Sequence, residues 1–77
     1  MIGKLKGSID LIGSGYLIVD VSGVGYKVNV SSGVLADSKI GDEVRIYIHT
    51  HVREDQLALF GFNSNEELGF FELKRDP

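Results

Sequence analysis

Cysteine and tryptophan are absent from this chain, and its one proline is the last residue. Without cysteine there is no disulfide, no thiol nucleophile and no thiolate metal ligand, and a reducing, cytoplasmic setting is the expected one. No apolar run approaches the 18 or more residues of a membrane-spanning helix, and the opening MIGKLKGSIDLIG lacks the continuous apolar core of a signal peptide. Positive charge is also in short supply: eight Lys and Arg stand against eleven Asp and Glu, a net charge of -3. A chain of that sign does not hold nucleic acid by bulk electrostatics, so any grip on phosphate depends on local charge placement or on partners. With 77 residues there is room for one small domain. Such a domain buries roughly 60 to 65% of the surface its unfolded chain exposes, and its stability is on the order of 4 to 11 kcal/mol.

What is present is a β-forming composition, rich in Val, Ile, Leu, Tyr and Phe and punctuated by ten glycines. The pattern predicts a first strand over 2–12, a turn at Gly13-Ser14-Gly15 and a second strand over 16–21. Ser22-Gly23-Val24-Gly25 turns the chain into a third strand over 26–30, where Tyr26, Val28 and Val30 share one face and Lys27 and Asn29 the other. SSGVLADSKIGD carries turn residues around Val34-Leu35 and reads as a single helical turn or loop.

The strongest alternation lies in 43–53, where Val44, Ile46, Ile48 and Val52 alternate with Arg45, Tyr47, His49, His51 and Arg53, and Thr50 is the one polar residue on the inward side. A fifth strand over 57–62 returns from a tip made of Arg53-Glu54-Asp55-Gln56. Ser64-Asn65-Glu66-Glu67 has the form of a capping box. It opens a helix whose candidate apolar contacts are Leu68, Phe70 or Phe71, and Leu73, weakened at Gly69 by about 1 kcal/mol relative to alanine. Five strands, a short helical insertion after the third and a C-terminal helix predict an all-β, five-stranded Greek-key barrel of the OB type. The closing helix ends with no visible partner for its apolar side, as in a fragment of a longer protein.

Enzymatic readings find little support. Gly23-Val24-Gly25 lacks the third glycine and the following helix of a dinucleotide fingerprint, and there is no phosphate-binding Gly-x-x-x-x-Gly-Lys-Ser/Thr loop. No serine stands in a Gly-x-Ser-x-Gly elbow, and adjacent Glu54 and Asp55 do not point the same way on an extended strand. His49 and His51 share a strand face in a His-x-His pair, but a metal needs further ligands, and no metal site or cofactor is expected. As a generic single-strand-binding OB module the chain would need aromatic platforms in a basic groove, and Tyr47 is the one aromatic on the wet face of the fourth strand; Tyr16 and Tyr26 read as core. Taken by themselves, Glu54 and Asp55 fit an ordinary solvated hairpin turn.

Three stretches, MIGKLKG at the start, VSGVGYKV at 21–28 and HVREDQLALFGF at 51–62, together resemble the N-terminal domain of the RuvA family, bacterial proteins that bind four-way Holliday junctions. The resemblance runs to about Leu73 and implies an OB-type barrel over residues 1–62. Residues 63–77 would then be the closing helix and the start of a link to a helix-hairpin-helix domain, whose Gly-Val-Gly-Pro-Lys-like opening is missing here. It also implies a non-catalytic subunit of an ATP-dependent branch-migration complex in recombination and DNA repair. Its ATPase, the RuvB motor, would be engaged through a domain that this chain lacks.

The same resemblance gives the hairpin tip a role. In the family the Arg-Glu-Asp tip, here Arg53, Glu54 and Asp55, forms an acidic pin near the four-fold axis of a homotetramer, facing the junction centre. Glu54 and Asp55 would repel phosphate there, raising the energy of any state that pushes duplex into the centre, within a screening length of about 8 to 10 Å. From the residues themselves, Lys4, Lys6, Arg45 and Arg53 could assemble across subunits into a positive face for DNA-backbone contacts beside the pin, although charges on the wet side of a strand usually serve solvation alone.

Overall fold

The computed structural model describes residues 1–75. Five strands, β1 (Lys4–Ile12), β2 (Tyr16–Val21), β3 (Val24–Asn29), β4 (Glu43–Arg53) and β5 (Gln56–Phe62), form a closed barrel in the order β1-β2-β3-β5-β4. A short helix, α1 (Ser32–Ala36), joins β3 to β4, and a longer one, α2 (Asn65–Arg75), follows β5. All neighbours are antiparallel except β3 and β5, whose parallel contact at Asn29 and Phe60 closes the barrel; Asn29 Nδ2 donates to the Leu59 carbonyl at 3.0 Å beside it. This is the expected five-stranded OB-type Greek-key barrel.

Period-2 alternation fills its interior. Leu5 and Ile9 from β1, Leu17 and Val19 from β2, Val28 from β3, Ile46 and Ile48 from β4 and Leu59 from β5 are buried, and Val34 of α1 joins them. Gly61 takes an inward position where a larger residue would have to displace core side chains, because a Cβ there would lie 2.5 Å from Val28 Cγ1 and 2.6 Å from Ile46 Cδ1. Helix α1 is fixed at both ends by serine: Ser31 Oγ accepts from the Val34 amide at 3.3 Å, and Ser38 Oγ donates to the Val34 carbonyl at 2.7 Å. Thr50, the polar exception on the inner face of β4, accepts from the Ile2 amide and donates to the Ile2 carbonyl, tying the N-terminus to the strand.

Three features depart from the sequence expectation. β3 starts at Val24 because Ser22 and Gly23 alone make the turn, both at positive φ (53° and 92°), with Val21 paired to Val24. Positive φ at both central residues is the type I′ geometry, whose twist matches that of the flanking strands. In β1 the register slips between Ile9 and Leu11, so Asp10 is the extra residue of a bulge. The strand thereby bends from β4, which it pairs through Lys4 to Ser8, toward β2. Tyr16, expected in the core, instead lies half-buried against Gly13 with Lys27 Nζ 4.5 Å from its ring centroid.

Helix α2 finds a partner where the sequence showed none. Its capping box forms, with Ser64 Oγ accepting from the Glu67 amide at 3.1 Å, while the Glu67 carboxylate accepts from the amide of Asn63, one residue earlier than the usual partner. The helix then lies against the outer face of β4 and β5 through Phe71, which meets Phe60, Phe62 and His49 at centroid distances of 5.5, 4.9 and 5.3 Å. Phe70 and Leu73, two of the expected apolar contacts, remain exposed at 67% and 70%. The last two residues of the expected link, Asp76 and Pro77, lie outside the described residues.

Candidate functional site

β4 and β5 are longer than the barrel they help to close. β4 pairs with β1 only over Glu43 to Tyr47, and β5 is in ladder register with β3 only at Phe60, while the two strands stay paired with each other out to Arg53 and Gln56. The distal part is therefore a two-stranded ribbon reaching past the barrel, and all of residues 52–57 are exposed. Glu54 and Asp55 form its two-residue turn. Among the described residues Ser22 is the sole non-glycine with positive φ, so Glu54 and Asp55 both keep negative φ. Their turn thus lies outside the I′ and II′ classes that two-residue hairpins favour.

The neighbouring charges are arranged around the two carboxylates without meeting them. Arg53 Nε donates to His51 Nε2 at 2.9 Å along the outer face of β4, and among the described residues no ion pair joins Arg53 to Glu54 or Asp55. On the inner face of the ribbon, Val52 and Leu57 sit opposite one another and are 67% and 63% exposed. Each strand thus keeps the alternation of a buried strand beyond the point where the barrel covers it.

The cationic residues divide into two places. Lys6 lies directly across from Arg45 and Lys4 across from Tyr47, all on the outer face of β1 and β4 with the three cations exposed. Two like charges directly opposite on a sheet are unfavourable by roughly a few tenths of a kcal/mol. Arg53 belongs to the other end: it is eight residues beyond Arg45 on the same strand, about 27 Å at ~3.4 Å per residue. Within one chain the structure brings Lys4, Lys6 and Arg45 together and leaves Arg53 with the tip.

His49, expected on an open strand face, is covered. Phe71 packs edge-on against its ring and Glu72 Oε2 lies 2.8 Å from Nδ1, leaving the side chain 21% exposed. Its ring centroid is 6.4 Å from that of His51, and no group of three or more metal-ligating side chains exists among the described residues. The sequence pattern carries no signal for this clasp, because it is formed by a helix folding back onto a face whose alternation reads as wet. The β4–β5 loop, which in OB barrels is one of the loops that meet oligonucleotides, is here the doubly acidic turn.

Fold and site thus define a small OB-type barrel carrying an acid-tipped hairpin and a separate cationic row. Residues 1–61 match the family described as the RuvA N terminal domain. The chain is 49% identical over 73 residues to a Holliday junction branch migration complex subunit RuvA of Rickettsia bellii, covering 95% of this chain and 36% of the relative. It is 50% identical over 74 residues to that of Azorhizobium caulinodans, with the same coverage, and 47% identical over 73 residues to that of Bdellovibrio bacteriovorus, covering 92% and 37%. The chain belongs to the RuvA N-terminal-domain family, and it spans little more than a third of the length of these relatives.

Among the described residues no helix is long and apolar enough to cross a membrane.

Proposed function

We propose that this barrel is the junction-shaping and oligomer-forming part of a Holliday-junction-binding subunit that acts in branch migration, recombination and DNA repair. Residues 1–62 are the barrel, and residues 63–77 begin the link to a helix-hairpin-helix domain that carries the main grip on DNA. Catalysis falls to the ATP-driven motor, RuvB, which is engaged through a further domain outside these residues, and the setting is cytoplasmic.

Glu54 and Asp55 are the working residues. The observation that carries this reading is the tip itself, where two carboxylates stand exposed on a ribbon beyond the barrel and Arg53 is turned away from both. Four such tips around a tetramer axis would concentrate negative charge at one point, disfavouring duplex there and leaving room for the separated strands of an open junction. Lys4, Lys6 and Arg45 would meet backbone phosphate away from the centre, and Arg53 beside it. Val52 and Leu57, apolar and exposed, support joining of copies through the ribbon's inner face. Light scattering should give a mass four times that of the monomer over a hundredfold range of concentration; a stable monomer would mean that the barrel does not assemble by itself.

The generic single-strand-binding reading is weaker, since the loop such a module would present to a strand is acidic, and Phe62, the aromatic residue opposite Tyr47 on the outer face, is packed against Phe71 of α2. The direct test replaces Glu54 with Gln and Asp55 with Asn in a full-length subunit carrying this sequence. Duplex should bind more tightly and the preference for junctions should fall; unchanged duplex affinity at fixed salt would sink the pin.

A further inference from the structure

An acidic tip preceded by one arginine invites its own neutralisation. Arg53 is adjacent in sequence to Glu54, and a guanidinium is a good bidentate partner for carboxylates. Yet its Nε–H is directed backward along β4 to His51 Nε2 at 2.9 Å. The contact follows from strand geometry, because residues two apart project from the same face. Ala58, directly across from His51, and Gln56, across from Arg53, complete that face opposite the pair. On the far side of His51, the Phe60 ring stands edge-on at a centroid distance of 6.5 Å, giving the imidazole a wall.

We infer that His51 is a positioning residue for the pin: by accepting the Nε–H of Arg53 it parks the guanidinium on the outer face of the hairpin, so that both carboxylates keep their charge unpaired. This rests on the repulsive role proposed for Glu54 and Asp55. Take away the acceptor, and the arginine swings forward to the nearest anions, which are its own neighbours in the turn. The tip then presents a partly neutralised surface without any change to the carboxylates themselves. The class of ligand affected is the phosphate backbone of duplex DNA, which the bare pin holds off.

The acceptor atom, more than the ring, is what matters. His51→Leu removes it while keeping an apolar side chain of similar reach against Phe60. His51→Gln keeps an amide oxygen able to accept from Arg53. In a full-length subunit carrying this sequence, His51→Leu should raise duplex affinity by about two- to fivefold at low salt, the range expected for gaining one exposed ion pair. His51→Gln should stay near the parent, and His51→Leu placed on an Arg53→Gln background should add nothing further, as required of two residues acting through one contact. In the 77-residue chain, the exchange of the Arg53 Nε–H with water, followed by NMR, should be slowed in the parent and in His51→Gln and fast in His51→Leu.

A merely structural histidine would not give that pattern. If His51→Leu leaves duplex affinity unchanged while neutralising Glu54 and Asp55 raises it, the parking role is wrong and the pin stands. If neither change matters, the pin reading fails first. A rise on losing His51 that persists without Arg53 would also overturn the inference, since the histidine would then be acting on DNA by itself.

Discussion

Two hairpins in this barrel close with two-residue turns, and they are built on opposite terms. Between β2 and β3 the turn residues are Ser22 and Gly23, both at positive φ, and the strands leave the turn already twisted as the barrel needs. Between β4 and β5 the corresponding residues are Glu54 and Asp55, both at negative φ, with neither glycine nor asparagine to open the favoured turn classes. The first turn meets the backbone preference of two-residue hairpins, and the second departs from it and carries two carboxylates. Where a local rule is broken without a structural gain, a functional demand is the usual reason. The exposed Val52 and Leu57 just below the second turn point the same way, since a hairpin kept only for closure would end where the barrel ends.

That contrast can be pressed by substitution. The largest effect is expected at the turn ruled by its backbone: Gly23→Val forces a β-branched side chain to φ near 92° and should lower unfolding stability by roughly 1 to 3 kcal/mol, measured by urea denaturation. Giving the acidic tip the chemistry of the other turn, Glu54→Asn with Asp55→Gly, should raise stability by about 0.5 to 1 kcal/mol while abolishing discrimination against duplex. Stability and selectivity would thus move in opposite directions. A loss of stability in that variant would mean that the tip is a structural turn after all. The smallest change in stability, within about 0.5 kcal/mol, belongs to Glu54→Gln with Asp55→Asn, which alters charge and little else at an exposed site.

Much of this architecture is legible in the sequence because alternation reports a half-buried strand directly. Ile46 and Ile48 are buried where period 2 puts them, and the capping serine and Glu67 mark where α2 begins. The bulge at Asp10 leaves no such trace, since an extra residue changes register without changing composition. The two-residue turn at Ser22-Gly23 looks longer in sequence than it is because Gly25 also resembles a turn residue; it lies instead in β3, opposite Asp20.

The side contacts are harder to foresee than the strands. Adjacent Phe70 and Phe71 offer two faces of one helix, and only packing decides that Phe71 turns inward. His49 alternates with the core and so reads as wet, yet α2 covers it and supplies Glu72. At the tip, the residues themselves are visible in the sequence, whereas the parking of Arg53 on His51 is a matter of which way one side chain turns. The row of Lys4, Lys6 and Arg45 likewise needs the register of β1 on β4 to show that three cations share one patch and that Arg53 is not among them.

The central claim is that Glu54 and Asp55 act through charge. Its most direct test is the duplex affinity of the parent and of the Glu54→Gln, Asp55→Asn variant in a full-length subunit, compared from about 0.01 M to about 0.15 M ionic strength, over which the screening length falls from about 30 to about 8 Å. The variant should bind duplex more tightly at the low end, and the gap between the two proteins should shrink as salt rises. A gap that is the same at every salt concentration, or no gap at all, would contradict an electrostatic pin.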